Sequence, residues 1–182
     1  PVAIIGQAFP YTPIANPRHM VADWTFGIQE ERLQRVIDEA RKKGAQAVVL
    51  LSHNGMDTDL KLASRVSGLD AILGGHTHDA VPQPVPVKNR GGTTLVTNAG
   101  SNGKFLGVLE LDVRGGSVKS SRYRLLPVFA NLLDAEPEMA AGLEFDPGAG
   151  QARPDLESAV VGALADEQAS VRQGVLDLRR GP

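Results

Sequence analysis

Apolar positions along the first two-thirds of the chain alternate between short extended runs and helical spacing, which predicts a βαβαβ order followed by a strand-rich part. Val2 to Gly6 reads as a strand. From Ile28 to Lys43, Leu33, Val36, Ile37 and Ala40 fall at i, i+3, i+4 and i+7, the stripe of a helix with one buried face. Glu30 and Glu31 fall in its first turn, Arg41, Lys42 and Lys43 in its last, and Gly44 follows, so charge and stop signal agree with the helix dipole. Ala45 to Leu51 is apolar apart from Gln46, as in a parallel strand covered on both faces. Asp57 is placed to cap a short helix reaching about Ser67 and ended by Gly68, and Leu69 to Leu73 reads as the next strand. Thr93 to Thr97, Phe105 to Val113 and Ser117 to Leu126 follow as strands, the last two joined by a hairpin turn at Arg114-Gly115-Gly116. The fold class is α/β, and no internal repeat is present.

Two strand ends carry the candidate chemistry. Leu51-Ser52-His53-Asn54-Gly55 and Gly74-Gly75-His76-Thr77-His78 each follow an apolar run, so three of the four histidines fall at the edge where α/β sheets assemble ligand sites. If the chain stays extended through Gly74 and Gly75, the rings of His76 and His78 leave one face of the backbone, and His53 supplies a third ring from the neighbouring strand end. Neutral imidazole is the commonest metal ligand, so this grouping predicts a metal centre. A concave patch holding all three rings, with His19 elsewhere, is the expected geometry. The long segment Gln7 to Phe26, rich in proline and aromatic residues and carrying Asn16, reads as a functional loop beside it.

Composition narrows the classes. A net charge of −2 with both signs interspersed gives no footprint for nucleic acid or an anionic membrane surface, and no apolar run approaches a membrane span. The absence of cysteine excludes disulfides, thiolate ligands and a cysteine nucleophile. Other polar residues read as structural. His19 belongs to a surface loop, and Asp59 is a first-turn carboxylate beside the capping Asp57. Ser52 and His53 point to opposite faces of one strand, so they form no nucleophile–base pair. Gly103-Lys104 lacks the remainder of a phosphate-binding loop. Asn54 either caps the turn after its strand or helps to bind substrate.

The stretch from VVLLSHNG to LDAILGGHTH, followed by LVTNAGSNGKFLGVLELDV, resembles the C-terminal half of the four-layer αββα metallophosphoesterase domain of the 5′-nucleotidase superfamily. GQAFPYTPIANP, DWTFGIQEE and SHNGMDTDLKLASRV are similar to the SoxB branch, the sulfate thiol hydrolases (thiosulfohydrolases) of bacterial thiosulfate oxidation. The resemblance implies two-metal hydrolysis, with His53 and His76 on one ion and His78 on the other, and two divalent ions, manganese in that branch. It implies a substrate S-sulfonate on the cysteine of a sulfur-carrier protein, sulfate as product, a periplasmic setting, and neither nucleic acid nor membrane as partner. A 5′-nucleotidase-like phosphoesterase and a non-catalytic module retaining the fold stay open as alternatives. The catalytic histidine and remaining ligands of the superfamily lie in motifs upstream of this stretch, so no catalytic residue is expected within it. The chain is expected to be a partial sequence, and inactive alone. Residues 1–141 are assigned to the second half of the metallophosphoesterase-like domain, and 142–182 is an unassigned tail, either linker or out-of-frame sequence.

Overall fold

A computed structural model describes residues 1–129 together with Asn131 and Pro137, so the tail 142–182 lies outside the described residues. Pro1–Pro127 belong to one compact unit, built on a five-stranded sheet and a two-stranded one. The first sheet comprises β1 (Val2–Gln7), β2 (Ala47–Ser52), β3 (Ala71–Gly74), β4 (Val85–Asn89) and β5 (Gly92–Asn98), in the spatial order β1-β2-β3-β5-β4. β1, β2, β3 and β5 run parallel, and β4 is an antiparallel edge. Helix α2 (Glu30–Lys42) links β1 to β2, and helix α3 (Met56–Arg65) links β2 to β3. Parallel neighbours need such crossovers, which carry the helices to a face of the sheet and leave the βα loops at one edge.

Both faces of the sheet are covered. On one, Leu33 and Ile37 of α2 and Leu62 and Ala63 of α3 bury against Val48, Leu50, Ile72 and Val96. On the other, Leu109 and Leu111 of β6 (Phe105–Arg114) pack on Ala47, Val49 and Ala71. β6 pairs antiparallel with β7 (Ser117–Pro127), and Arg114 opposite Ser117 leaves a two-residue turn, Gly115-Gly116. Both glycines adopt positive φ, 56° and 80°, as the tight hairpin turn requires. Helices, a mainly parallel sheet and a second sheet thus make three stacked layers among the described residues. Complete burial of β2 positions 47, 48 and 50 explains its unbroken apolar run.

Several boundaries shift for identifiable reasons. α2 begins at Glu30, two residues later than the expected start at Ile28, because Gln29 adopts a left-handed φ of 48° and the Ile28 carbonyl accepts from Gln7 Nε2. The N-cap of α3 is Gly55, not Asp57, which falls inside the first turn. The loop 8–29 is not wholly irregular, since Thr12–Ala15 form one helical turn, α1, and Arg18–Met20 a 3₁₀ turn. β4 escapes the hydrophobic pattern because Pro84 and Pro86 read as loop. An edge strand tolerates a residue without an N–H. Arg41, expected only as a last-turn cation, is a junction: its guanidinium donates to the carbonyls of Gly68, Ala45 and Gln46 and pairs with Asp70 at 2.6 Å. Asp70 also accepts from the Val48 amide, so the end of the sheet remote from the histidines is tied by charge-assisted bonds.

Candidate metal centre

β2 and β3 lie side by side, with Leu51 opposite Leu73, so the segments leaving them are neighbours. His53 is the first residue past β2, and His76 the second past β3. Their ring centres lie 5.3 Å apart with the planes at 63°, and both side chains are exposed. Two imidazoles sharing one ion, with metal–nitrogen distances of about 2.0–2.1 Å, put their ring centres about 5 Å apart, so this pair fits a common divalent ion. No third histidine or carboxylate is positioned with them among the described residues. His19 stands apart on the 3₁₀ turn of the loop.

The backbone after β3 is not extended, as the same-face argument for His76 and His78 assumed. His76 has φ 74° and His78 φ 59°, and the Thr77 amide donates to the Gly75 carbonyl across His76. That is a γ-turn with positive φ at its centre, a strained conformation for a residue with a side chain. The turn, not strand alternation, aims His76 toward His53. Strain of this kind persists where surrounding structure over-determines it, and here the supports are explicit. A Cβ on Gly74 would lie 2.8 Å from Asp59 Oδ2 and 3.1 Å from the Thr97 carbonyl, and one on Gly75 would lie 3.2 Å from His53 Nδ1. Close approach leaves no room for a side chain at Gly74, and at Gly75 a side chain would press on the His53 ring.

Beneath the histidines is a polar cluster that the sequence pattern does not announce. Asp59 is fully buried, and its Oδ1 accepts from Ser52 Oγ at 2.6 Å and Asn54 Nδ2 at 3.1 Å. Asn54, also buried, donates to Gln7 Oε1, and its own amide donates to Ser52 Oγ. This links the ends of β1 and β2 to α3 directly under His53. Desolvation pushes the Asp59 carboxyl above its ordinary value of 3.8, opposed in part by the bonds from Ser52 and Asn54. Asp59 Oδ2 and Asn54 Oδ1 find no partner among the described residues. Phe9, on the loop after β1, is a second residue that sequence reasoning missed: its ring centre is 4.3 Å from that of His76 and 5.9 Å from that of His53. An aromatic wall there limits the ways the two imidazoles can turn.

No family model matches the chain. Among solved structures, the Thermus thermophilus sulfate thiohydrolase SoxB, in complex with glycerol, is similar over 92% of this chain and 27% of its own, with 36% identity and a TM-score of 0.66. A 5′-nucleotidase precursor, also from Thermus thermophilus, aligns over 81% of this chain and 28% of its own, with 28% identity and a TM-score of 0.51. Snake venom 5′-nucleotidase of Gloydius brevicauda is 31% identical over 137 residues, 66% of this chain and 23% of the relative. The chain therefore spans about a quarter of the length of these proteins. Parallel strands ending in SHNG and GGHTH, helices on one face, a second sheet on the other and these likenesses agree: the chain belongs to the 5′-nucleotidase/metallophosphoesterase superfamily.

Proposed function

We propose that this chain is part of a SoxB-type periplasmic hydrolase that releases sulfate from an S-sulfonate carried on a partner protein's cysteine. The observation that carries this reading is the likeness to SoxB, which exceeds the likeness to the 5′-nucleotidase precursor in identity, in coverage of this chain and in TM-score. His53 and His76 suit one ion, and His78 is assigned to a second by the superfamily pattern. Two divalent ions, manganese in this reading, would supply Lewis acidity that activates water and stabilises the oxyanions of an in-line displacement. In the net reaction water adds its oxygen to the terminal sulfur, the sulfur–sulfur bond breaks, and the cysteine sulfur leaves with the bonding pair and takes up a proton.

The chain's own residues position and shield. Asp59, Ser52 and Asn54 hold the His53 strand end from behind, and Phe9 closes one side of the imidazole pair. Asn54 is assigned to substrate binding in this reading, on the resemblance alone. Residues 1–182 alone are expected to release no sulfate and hydrolyse no phosphate ester, because two converging imidazoles without a bridging carboxylate hold metal too weakly for catalysis. Turnover by the purified chain, tracked as sulfate or phosphate release, would contradict this.

The choice between sulfur and phosphorus substrates falls to the surroundings of the site, since the metals polarise either oxyanion. The loop after β1 exposes Tyr11, Ile14, Met20 and Trp24, and a groove of about 470 Å³ runs between it and α2, lined by Gln7, Pro10, Trp24, Phe26, Ile28 and Arg32. Prolines stiffen this lip and lower the cost of ordering it around a peptide arm. In the full-length enzyme, replacing Phe9 to Met20 by a short Gly/Ser loop should lower kcat/KM for a carrier-bound S-sulfonate at least about 10-fold more than for a small phosphate ester. Equal losses on both, with metal content unchanged, would return the nucleotidase reading to parity.

A further inference from the structure

Thr77 lies between the two histidines of the GGHTH segment, and its side chain faces away from both to a different element. Its Oγ1 accepts the backbone N–H of Met56, the first residue of α3, at 3.0 Å, and donates to the Asp79 carboxylate. The first turn of a helix leaves N–H groups without intrahelical partners, and an N-cap side chain ordinarily meets only one, at the second or third position. Here the N-cap is Gly55, which has no side chain to offer. Gly55 has φ 96°, and a Cβ built on it would come within 2.9 Å of Thr77 Cγ2, so the two segments meet with no room between them. The far side of the loop is held as well. Gly100 N donates to the Asp79 carbonyl, Val81 N donates to the Asn98 carbonyl, and Asn98 Nδ2 reaches the Gly75 carbonyl at 3.4 Å.

We infer that Thr77 is a positioning residue: as a cap supplied to α3 from another element, it fixes the strained γ-turn that aims His76 at His53, and so sets the affinity for the ion they share. A single hydroxyl donating to Asp79 while accepting from Met56 defines the direction of residue 77, and with it the φ values of its neighbours at 76 and 78. Valine keeps the shape of threonine but can make neither bond. Serine keeps both bonds and drops the methyl that fills the space beside Gly55. The inference rests on the metal reading above, and the test separates the two.

The probe is Zn²⁺ titrated into the 182-residue chain, followed by calorimetry and by ring-proton NMR, alongside nuclear Overhauser contacts between the His53 and His76 rings in metal-free protein. Thr77→Val should weaken Zn²⁺ binding about 10-fold, the lower range of outer-shell substitutions, and erase the inter-ring contact. Thr77→Ser should restore both. Ala63→Gly, in the last turn of the same helix, should lower the melting temperature without touching either readout. His76→Ala reports on the metal reading itself. If it leaves Zn²⁺ binding unchanged, the metal reading fails, and if the parent chain binds Zn²⁺ too weakly to titrate, as a site short of its opposing ligands can, the inter-ring contact alone decides the positioning role. If His76→Ala abolishes binding while Thr77→Val behaves as the parent in both readouts, or Ala63→Gly matches Thr77→Val in both, the role given to Thr77 is overturned and the metal reading stands.

Discussion

Alanine at His53 or at His76 is expected to lower kcat/KM of the full-length enzyme by more than about 100-fold, and to leave the melting temperature of the metal-free protein within about a degree or two of the parent. The first half follows from the pairing of the rings at 5.3 Å, which suits both to one ion in the proposed reading. Outer-shell substitutions already cost 10–100-fold in metal affinity or activity, so loss of a direct ligand costs more. The second half follows from exposure: both rings lie on the surface past the strand ends, and neither belongs to a core cluster. Manganese or zinc content after dialysis should fall in parallel with turnover. His19→Ala, on the 3₁₀ turn away from the pair, should change neither quantity. A variant at 53 or 76 that keeps its metal and its rate would remove the centre from this sheet edge, and one that unfolds would show that the rings are structural.

The order of elements was legible because it depends on periodicity, which burial enforces over many residues at once. Ile37, Leu62, Ile72 and Val96 are all buried where the pattern put apolar faces. The histidine edge was legible for a related reason: in a parallel sheet the residues after successive strands must be neighbours, so His53 and His76 had to approach. Their mutual aim was not, because it depends on one γ-turn at His76, a φ choice that alternation rules exclude. The polar support left a fainter trace. Asp59, Leu62, Ala63 and Val66 fall at i, i+3, i+4 and i+7, so Asp59 shares the buried face of α3 with three core residues. A carboxylate in an apolar stripe is a signal of burial, and a position in the first turn explains only its charge. Phe9 and Thr77 had no such signal, since their partners are distant in sequence and meet them through loops.

Asp59 therefore carries the largest expected effect on stability. Asp59→Ala strands Ser52 Oγ and one N–H of Asn54 in a dry site, at about 1–3 kcal/mol for each donor left without an acceptor, so a loss of about 2–6 kcal/mol is expected. Against a typical domain stability of about 5–15 kcal/mol, that is enough to unfold a noticeable fraction of the chain. Asp59→Asn should behave in the opposite sense at neutral pH, because it keeps an acceptor at the same place and carries no charge into the interior. The pH dependence gives the sign. Burial raises the folded-state pKa of Asp59 above its unfolded value near 3.8. Protonated Asp59 thus contributes stability that is fully present below that unfolded value and is lost as pH rises through the raised folded value. Urea unfolding of the 182-residue chain at a series of pH values should show the parent losing stability relative to Asp59→Asn across that window. The opposite slope, with the asparagine variant falling behind as pH rises, would mean that the carboxylate is stabilised where it lies. Asp59 would then be an anion held in place by partners beyond Ser52 and Asn54, and the apolar stripe of α3 would owe its one charged position to electrostatics instead of to a neutral hydrogen-bonding role.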